Sequence, residues 1–252
     1  MKIEFLGTGT STGVPQIGCK CPVCTSTDPR DNRLRCSVVV ETNGMRILID
    51  CGPDFRTQIL RASSTRLDAL LVTHEHFDHV GGLDDLRPYC YPNPFPVFAR
   101  PDVIAALKSR IPYCFGDHRY PGVPTFDLHE VHNEPFSFNG LEITPISVWH
   151  GKIPIVGYRI KDFAYITDCK TIDAPELDKL RGVRTLVINA LRYEEHPSHQ
   201  SVAQALEIVR AISPTRTFLT HLAHRIGTHA QVCAALPPTV TLAHDTLVVT
   251  TD

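Results

Sequence analysis

A seven-residue stretch at positions 73–79 concentrates side chains that can bind a metal ion. It reads Thr-His-Glu-His-Phe-Asp-His, so three imidazoles and the carboxylate of Asp78 fall within six consecutive positions. Zinc, manganese and ferrous iron all accept imidazole and carboxylate ligands. A solvated polar loop is the alternative interpretation, but it does not account for four such side chains in so short a stretch. The motif therefore predicts a metal site.

The segments on either side of this motif indicate how it would be positioned. The apolar run at 67–72 immediately before it is typical of a buried strand. Gly81 and Gly82 follow it, and glycine lets the backbone turn tightly because it has no Cβ atom. We therefore expect the metal-binding side chains to lie at the end of a strand.

The pattern Thr-His-x-His-x-Asp-His after an apolar strand resembles the signature of the metallo-β-lactamase superfamily of hydrolases. The resemblance implies an α/β protein, a four-layer αβ/βα sandwich, with a dinuclear metal site at one edge. The implied ligands are His74, His76 and His150 for one metal, Asp78, His79 and His221 for the other, and Asp168 as the bridge. Asp78 would serve catalysis as a ligand. Asp50 would support the metal loop without binding a metal itself.

A second group of metal-binding side chains lies near the N-terminus. Cys19, Cys21 and Cys24 have C-x-C-x-x-C spacing, which can wrap one zinc ion if a fourth ligand comes from elsewhere. Three reduced thiols without a metal are the alternative. The Gly-Thr-Gly opening at 7–15, this cysteine cluster and the Arg-x-Arg-Cys-Ser at 33–37 together resemble one branch of the superfamily. That branch contains the phosphoribosyl cyclic phosphate phosphodiesterase, and the resemblance points to His224 as the fourth zinc ligand.

Composition and charge narrow the class of protein. The chain has 252 residues, a formal net charge of −2 and nine cysteines. An odd cysteine count suits a reducing compartment, and we expect the six cysteines outside the cluster to lie mostly in the core. No apolar run is long enough to span a bilayer, and the first residues lack the apolar core of a signal peptide. These features predict a cytoplasmic protein with no membrane partner, and they do not favour nucleic acid as a partner. We expect a single domain over 1–252 and leave a homodimer open.

Local patterns predict several elements. Asn43-Gly44 between two apolar runs indicates a β-hairpin, because both residues accept positive φ. We expect a second hairpin around His244-Asp245 near the C-terminus. Residues 54–66 carry arginines at helical spacing, which favours a solvated helix face. The Tyr- and Pro-rich stretch at 88–96 and the segment 111–125 are expected to be loops that wall the site, with His118 on the surface.

The function that fits these residues is hydrolysis of a small phosphodiester, a cyclic ribose or nucleotide phosphate, by a hydroxide that two metals activate. We expect two zinc or manganese ions at this centre and one structural zinc. His199 lies outside the implied ligand set and could protonate the leaving alkoxide, since a histidine titrates near neutral pH. His196 is the rival for that role, and a merely capping role for His199 stays open.

Three other functions remain under consideration on this fold. An RNA-processing nuclease of the tRNase Z type would also use an aspartate bridge, but it usually carries a long basic arm, and no such segment is present in the sequence. A thioesterase or lactonase is a further alternative. A scaffold without catalysis is disfavoured because no implied ligand is missing.

Overall fold

The computed structural model describes residues 1–116 and 120–251. In this part of the chain the strands are β1 Lys2–Gly7, β2 Ser37–Thr42, β3 Met45–Ile49, β4 Ala69–Leu71, β5 Phe95–Ala99, β6 Phe126–Glu130, β7 Phe136–Phe138, β8 Leu141–His150, β9 Ile153–Ile160, β10 Phe163–Ile166, β11 Thr185–Asn189, β12 Arg216–Thr220, β13 Val240–Leu242 and β14 Val248–Thr250. The α-helices are α1 Phe55–Arg61, α2 Phe77–Val80, α3 Pro101–Arg110, α4 Ala174–Asp178, α5 Val202–Ile212 and α6 His229–Ala235. Short 3-10 helices lie at Pro29–Asp31, Leu83–Tyr89, Pro112–Cys114 and His224–Ile226.

The strands form two seven-stranded mixed sheets. The first has the order β14-β1-β2-β3-β4-β5-β6 and the second the order β13-β12-β11-β10-β9-β8-β7. In the first sheet β1, β2 and β3 are antiparallel neighbours, and β3 to β6 are parallel. In the second, β8, β9 and β10 are antiparallel neighbours, and β10 to β13 are parallel. The two halves of the chain therefore repeat one topology.

Three apolar clusters hold the layers together. One lies between the two sheets and includes Phe5, Ile47 and Phe163, all fully buried. The others lie on the outer faces, where α1 and α3 cover the first sheet and α5 and α6 cover the second. Burying one such large apolar side chain contributes about 1.5–3 kcal/mol to folding. The predicted four-layer αβ/βα sandwich is confirmed.

The two predicted hairpins have different outcomes. Asn43 and Gly44 adopt φ of 51° and 74° and join β2 to β3, as predicted. The C-terminal hairpin is wrong, because β13 pairs with β12 in the second sheet whereas β14 pairs with β1 in the first. His244 and Asp245 therefore lie where the chain crosses from one sheet to the other.

The helix and loop predictions also need correction. The helix expected over 54–66 ends at Arg61, whose guanidinium pairs with the buried Asp245 at 2.7 Å instead of standing free in solvent. The stretch 88–96 is not entirely a loop, since β5 begins at Phe95 and includes Pro96. His118 lies outside the described residues. Among the helices of the described residues, none is both long and apolar enough to cross a membrane.

Candidate metal centre

The predicted ligands lie at the ends of strands on one edge of the sandwich. The metal motif follows β4, His150 ends β8, Asp168 follows β10, and His221 follows β12. Ligand-binding residues commonly gather at the carboxyl ends of parallel strands. Their donor atoms form two groups, each with all donors within 4.8 Å of one another: His74, His76, His150 and Asp168, and Asp78, His79, Asp168 and His221. The structure thus brings together all seven residues and shares Asp168 between the groups.

Asp168 directs one carboxylate oxygen towards each group. Its Oδ1 lies 3.3 Å from His79 Nε2 and 3.2 Å from His221 Nε2. Its Oδ2 lies 3.8 Å from His74 Nε2. A carboxylate shared between the two groups in this way would suit a bridging role.

Hydrogen bonds orient the histidines so that one ring nitrogen of each faces the centre. Asp50 accepts from His79 Nδ1–H at 2.7 Å, so that His79 Nε2 faces the centre. Thr73 Oγ1 donates to Asp50 at 2.8 Å and accepts from His74 Nδ1–H at 3.0 Å. Asp50 thus contacts Thr73 and His79 from outside the two donor groups. Such outer partners fix the tautomer and the orientation of a metal-binding imidazole.

His150 of the first group is held in the same manner. His150 Nδ1–H donates to the carbonyl oxygen of Ser198 at 2.8 Å, so its Nε2 is free to bind a metal. His74 Nε2 and His76 Nδ1 lie 3.1 Å apart. Since Thr73 fixes the proton of His74 on Nδ1, two lone pairs converge at that point, as a shared cation would require.

The charge and hydrogen bonding of the centre fit a divalent metal pair. Asp50, Asp78 and Asp168 are all buried there, which places three carboxylates out of water. His79 Nε2 and both ring nitrogens of His221 are buried without a hydrogen-bond partner among the described residues. Burial alone would lower the pKa of His79. The negative charges of Asp168, Asp50 and Asp78 outweigh this effect and hold the pKa of His79 well above its usual value. A cation in their midst would neutralise the same excess of negative charge.

Backbone geometry at three strand ends is unusual. Asp50, Asp168 and His221 have φ of 61°, 54° and 55°, in the left-handed region that non-glycine residues rarely adopt. Such conformations cost about 1–3 kcal/mol each and cluster at functional sites. The sequence contains no signal for them, because each requires the surrounding structure to hold it.

Glycines allow the metal loop to pack directly on the end of β3. A Cβ atom on Gly52 would lie 2.1 Å from the carbonyl oxygen of Asp78, and one on Gly82 would lie 2.1 Å from that of Gly52. No side chain fits at either position. The close contact seats α2, which carries Asp78 and His79, against the strand end.

His199 lies beside the shared carboxylate. Its Nε2 is 3.2 Å from Asp168 Oδ2, and its Nδ1 is 3.1 Å from His196 Nδ1 and 3.1 Å from Ser198 Oγ. His196 lies further out. Burial lowers the pKa of His199 to about 4, although the hydrogen bond to Asp168 acts in the opposite direction. His199 does not cap the following helix, because Ser201 caps α5.

The cysteine cluster forms a separate site. The Sγ atoms of Cys19, Cys21 and Cys24 lie 3.3, 3.4 and 3.4 Å from His224 Nδ1. The backbone N–H of Cys24 donates to the sulfur of Cys21 and is the main cause that lowers the pKa of this thiol to about 6. Four donors around one point, with a stabilised thiolate among them, fit a closed tetrahedral zinc site.

Several supporting groups were not evident from the sequence. Thr73 belongs to the motif, yet nothing in its type shows that it links Asp50 to His74. Thr167 Oγ1 donates to Asp168 Oδ1 at 2.7 Å, and the Ser198 carbonyl orients His150. A threonine stands directly before His74, Asp168 and His221, and this is the one signal that a sequence pattern could have offered.

Comparisons with known proteins agree with this geometry. Residues 45–222 match the model of the β-lactamase superfamily domain. The chain belongs to the metallo-β-lactamase superfamily. A crystal structure described as a new diphosphatase from the PhnP family superposes with a TM-score of 0.93 at 37% identity, covering 100% of this chain and 98% of that one. The superfamily and the PhnP-like branch predicted from the sequence are confirmed.

Two curated relatives carry other names. A Porphyromonas gingivalis protein named octanoyltransferase is 46% identical over 250 residues, which is 98% of this chain but only 51% of that protein's length. Coenzyme PQQ synthesis protein B of Methylorubrum extorquens is 32% identical over 231 residues, covering 77% of this chain and 74% of that one. This superfamily member thus spans about half the length of the first relative.

Proposed function

We propose that the chain is a metal-dependent phosphodiesterase that acts on small soluble phosphodiesters, with cyclic ribose or nucleotide phosphates as the leading substrates. The observation that carries the proposal is the position of Asp168, which offers one oxygen to each donor group while His199 contacts the same carboxylate. Phosphoryl transfer needs positioning and charge stabilisation above all. A centre built from two cation sites and one proton donor supplies both.

The seven ligands would hold two zinc or manganese ions. When bound, such metals lower the pKa of coordinated water and take up negative charge from a phosphoryl oxygen. Asp168 keeps both donor groups at a fixed separation, and burial of the carboxylates excludes competing water. The residues of this chain therefore orient the phosphate between the donor groups and the His199 ring.

His199 would deliver the proton to the leaving oxygen from Nε2. Both of its ring nitrogens face acceptors, Asp168 Oδ2 on one side and His196 Nδ1 on the other. The backbone N–H of Ser198 also points at His196 Nδ1, which marks this nitrogen as an acceptor. The geometry therefore suits a doubly protonated His199. Burial opposes that form, but an anionic substrate beside the ring favours it.

The relatives support this class of substrate to different degrees. The PhnP-family structure, 37% identical over the whole chain, is described as a diphosphatase, which favours phosphoryl chemistry over acyl chemistry at this centre. The chain spans 51% of the length of the relative named octanoyltransferase. Because of that name, acyl thioesters are a second candidate for the substrate. Net charge of −2 disfavours a large RNA substrate.

A substrate panel tests the proposal. Protein loaded with Zn²⁺ or Mn²⁺ is assayed with cyclic ribose phosphates, cyclic nucleotides, a diphosphate-bridged dinucleotide, a bis-aryl phosphate, an octanoyl thioester and a precursor transfer RNA. We expect kcat/KM for the best small phosphodiester to exceed that for the thioester by about 100-fold or more, a difference of about 2.7 kcal/mol in transition-state binding. Preferential cleavage of the thioester or the RNA would contradict the proposal.

A further inference from the structure

The turn that presents Asp168 is held by a side chain outside the ligand set. Asn189 is the last residue of β11 and is fully buried. Its Oδ1 accepts from the backbone N–H of Cys169 at 2.7 Å, and its Nδ2 donates to the carbonyl oxygen of Cys169 at 3.0 Å. One carboxamide therefore satisfies both backbone groups of the residue that follows Asp168.

The first half of the molecule holds the equivalent turn with backbone atoms. There Cys51 follows Asp50, its N–H donates to the carbonyl oxygen of His79 at 2.7 Å, and its carbonyl oxygen accepts from Gly82 N–H at 2.9 Å. Hydrogen bonds from the metal loop therefore hold the turn that follows Asp50. A carboxamide has the same donor and acceptor as a peptide group. Asn189 therefore takes the place of the two peptide groups that the metal loop supplies in the first half.

The same turn connects to the segment that carries His199. The carbonyl oxygen of Cys169 also accepts from the backbone N–H of Gln200 at 3.1 Å, and Gln200 O in turn accepts from Leu191 N–H at 3.0 Å. Asn189 thus sits between the bridging carboxylate and the candidate proton donor. Asp168 has a left-handed backbone, which persists only where its surroundings enforce it.

We propose that Asn189 is a positioning residue, whose carboxamide fixes the turn after β10 and so sets how tightly the centre holds its metals. This rests on the proposed function only in taking the ligand set as a metal centre. Asn189 touches neither metal nor substrate, and it acts through Asp168. Partners beyond the ligands change metal affinity by about 10- to 100-fold when they are removed.

The test compares Asn189→Ala and Asn189→Asp for bound zinc over a series of free Zn²⁺ concentrations. Asn189→Ala removes both hydrogen bonds. Asn189→Asp keeps the size of the side chain and the acceptor for Cys169 N–H, but it places a second acceptor against the carbonyl oxygen of Cys169. Zinc affinity can therefore still be measured in this variant if the alanine variant does not fold. In both we expect the centre to bind Zn²⁺ about 10- to 100-fold more weakly. Measurement in a Cys21→Ser background removes the zinc of the cysteine cluster from the count.

Two controls separate positioning from a general loss of stability. Thr217→Val removes a buried hydroxyl that has no hydrogen-bond partner in the described part of the chain, on the neighbouring β12, and should leave zinc affinity unchanged. With Cys21 intact, the Asn189 variants should keep the zinc of the cysteine cluster. Wild-type affinity in both Asn189 variants, or equal loss from both clusters, would overturn the proposal. Failure of the wild-type protein to cleave phosphodiesters would refute the proposed function without altering these affinities.

Discussion

Corresponding strands in the two halves of the molecule are followed by the same pair of residues, an aspartate and a cysteine, but the two aspartates have different surroundings. In the first half β3 leads into Asp50-Cys51, and in the second β10 leads to Asp168-Cys169. Both aspartates have a left-handed backbone and both cysteines are fully buried. Asp50 is enclosed by donors from the metal loop, namely the N–H and hydroxyl of Thr73 and the Nδ1–H of His79. Asp168 instead directs its oxygens at ring nitrogens of His79, His221 and His74.

The difference shows what decides between a supporting and a metal-binding carboxylate. The strand end delivers an aspartate to the same edge in each half. In the first half the loop after the next strand, β4, folds back over Asp50 and takes up both of its oxygens. In the second half Asn189, at the end of β11, holds only the backbone of the turn. The oxygens of Asp168 remain directed at the donor groups, although Thr167 Oγ1 donates to one of them. The neighbouring loop, and not the strand, therefore decides whether the aspartate supports the centre or would bind a metal.

The ionisation of the two carboxyls follows their surroundings. Burial raises the pKa of Asp50, and the hydrogen bonds from His79 and Thr73 only partly oppose it. Burial acts on Asp168 in the same direction, but the imidazoles of His221 and His79 hold its pKa well below the usual range. Asp168 therefore stays charged at any pH at which the enzyme would work, as a metal ligand must.

Replacing Asp168 by Ala should have the largest effect on hydrolysis. The variant loses an oxygen in each donor group, so we expect hydrolysis to fall by about 1,000-fold or more, since a metal centre supplies several kcal/mol of transition-state stabilisation. The fold should persist, as judged by circular dichroism. Asp162→Asn, at the other end of β10, is the matched control and should keep its activity. Full activity in the Asp168 variant would refute the two-metal assignment.

Replacing His199 by Ala tests a function that only the second half provides. A poor alkyl leaving group needs a proton, so its hydrolysis should slow by about 100-fold or more, the usual scale of general acid catalysis. A nitrophenolate needs no proton and should be affected far less. The measurement is the ratio of kcat/KM for the two substrates in variant and wild type. Equal losses on both would show that His199 binds phosphate or holds the loop, and the same series in His196→Ala identifies which histidine acts.

Replacing Asp50 by Asn should have a smaller effect than the Asp168 change. The amide keeps the shape of the side chain, but it cannot accept from all three donors. His79 would lose its orienting partner, and we expect metal binding to weaken by about 10- to 100-fold. High concentrations of Zn²⁺ or Mn²⁺ should therefore restore hydrolysis in this variant and not in Asp168→Ala. If added metal rescues both variants equally, the two carboxylates do not have distinct roles.

Replacing Cys21 by Ser should leave both aspartates undisturbed. The cysteine cluster lies apart from the centre, so the variant should lose one tightly bound zinc and keep the others. It should also melt at a lower temperature, because binding energy at a closed zinc site contributes to folding. Metal content and thermal denaturation measure the two effects. Unchanged metal content would rule out a structural zinc at these cysteines.

The sequence predicts the residues that could bind metal better than the way they are held. The motif at 73–79 follows from residue types after an apolar run, and the resemblance to the superfamily adds His150, Asp168 and His221 at strand ends. The left-handed turns, the Ser198 carbonyl and the Asn189 clamp depend on contacts between distant segments. The wrong C-terminal hairpin has the same cause, since β13 and β14 are adjacent in the chain but pair with strands of different sheets. Local patterns do not encode that choice.

The most direct test of the two-metal phosphodiesterase is a metal titration of the metal-free protein. Hydrolysis of bis(4-nitrophenyl) phosphate is followed while Zn²⁺ or Mn²⁺ is added, and the bound metal is counted at each point. After the cysteine cluster is filled, we expect the rate to rise only as the second ion enters the centre formed around Asp168. Full activity in the metal-free protein, or with a single ion at that centre, would contradict this account.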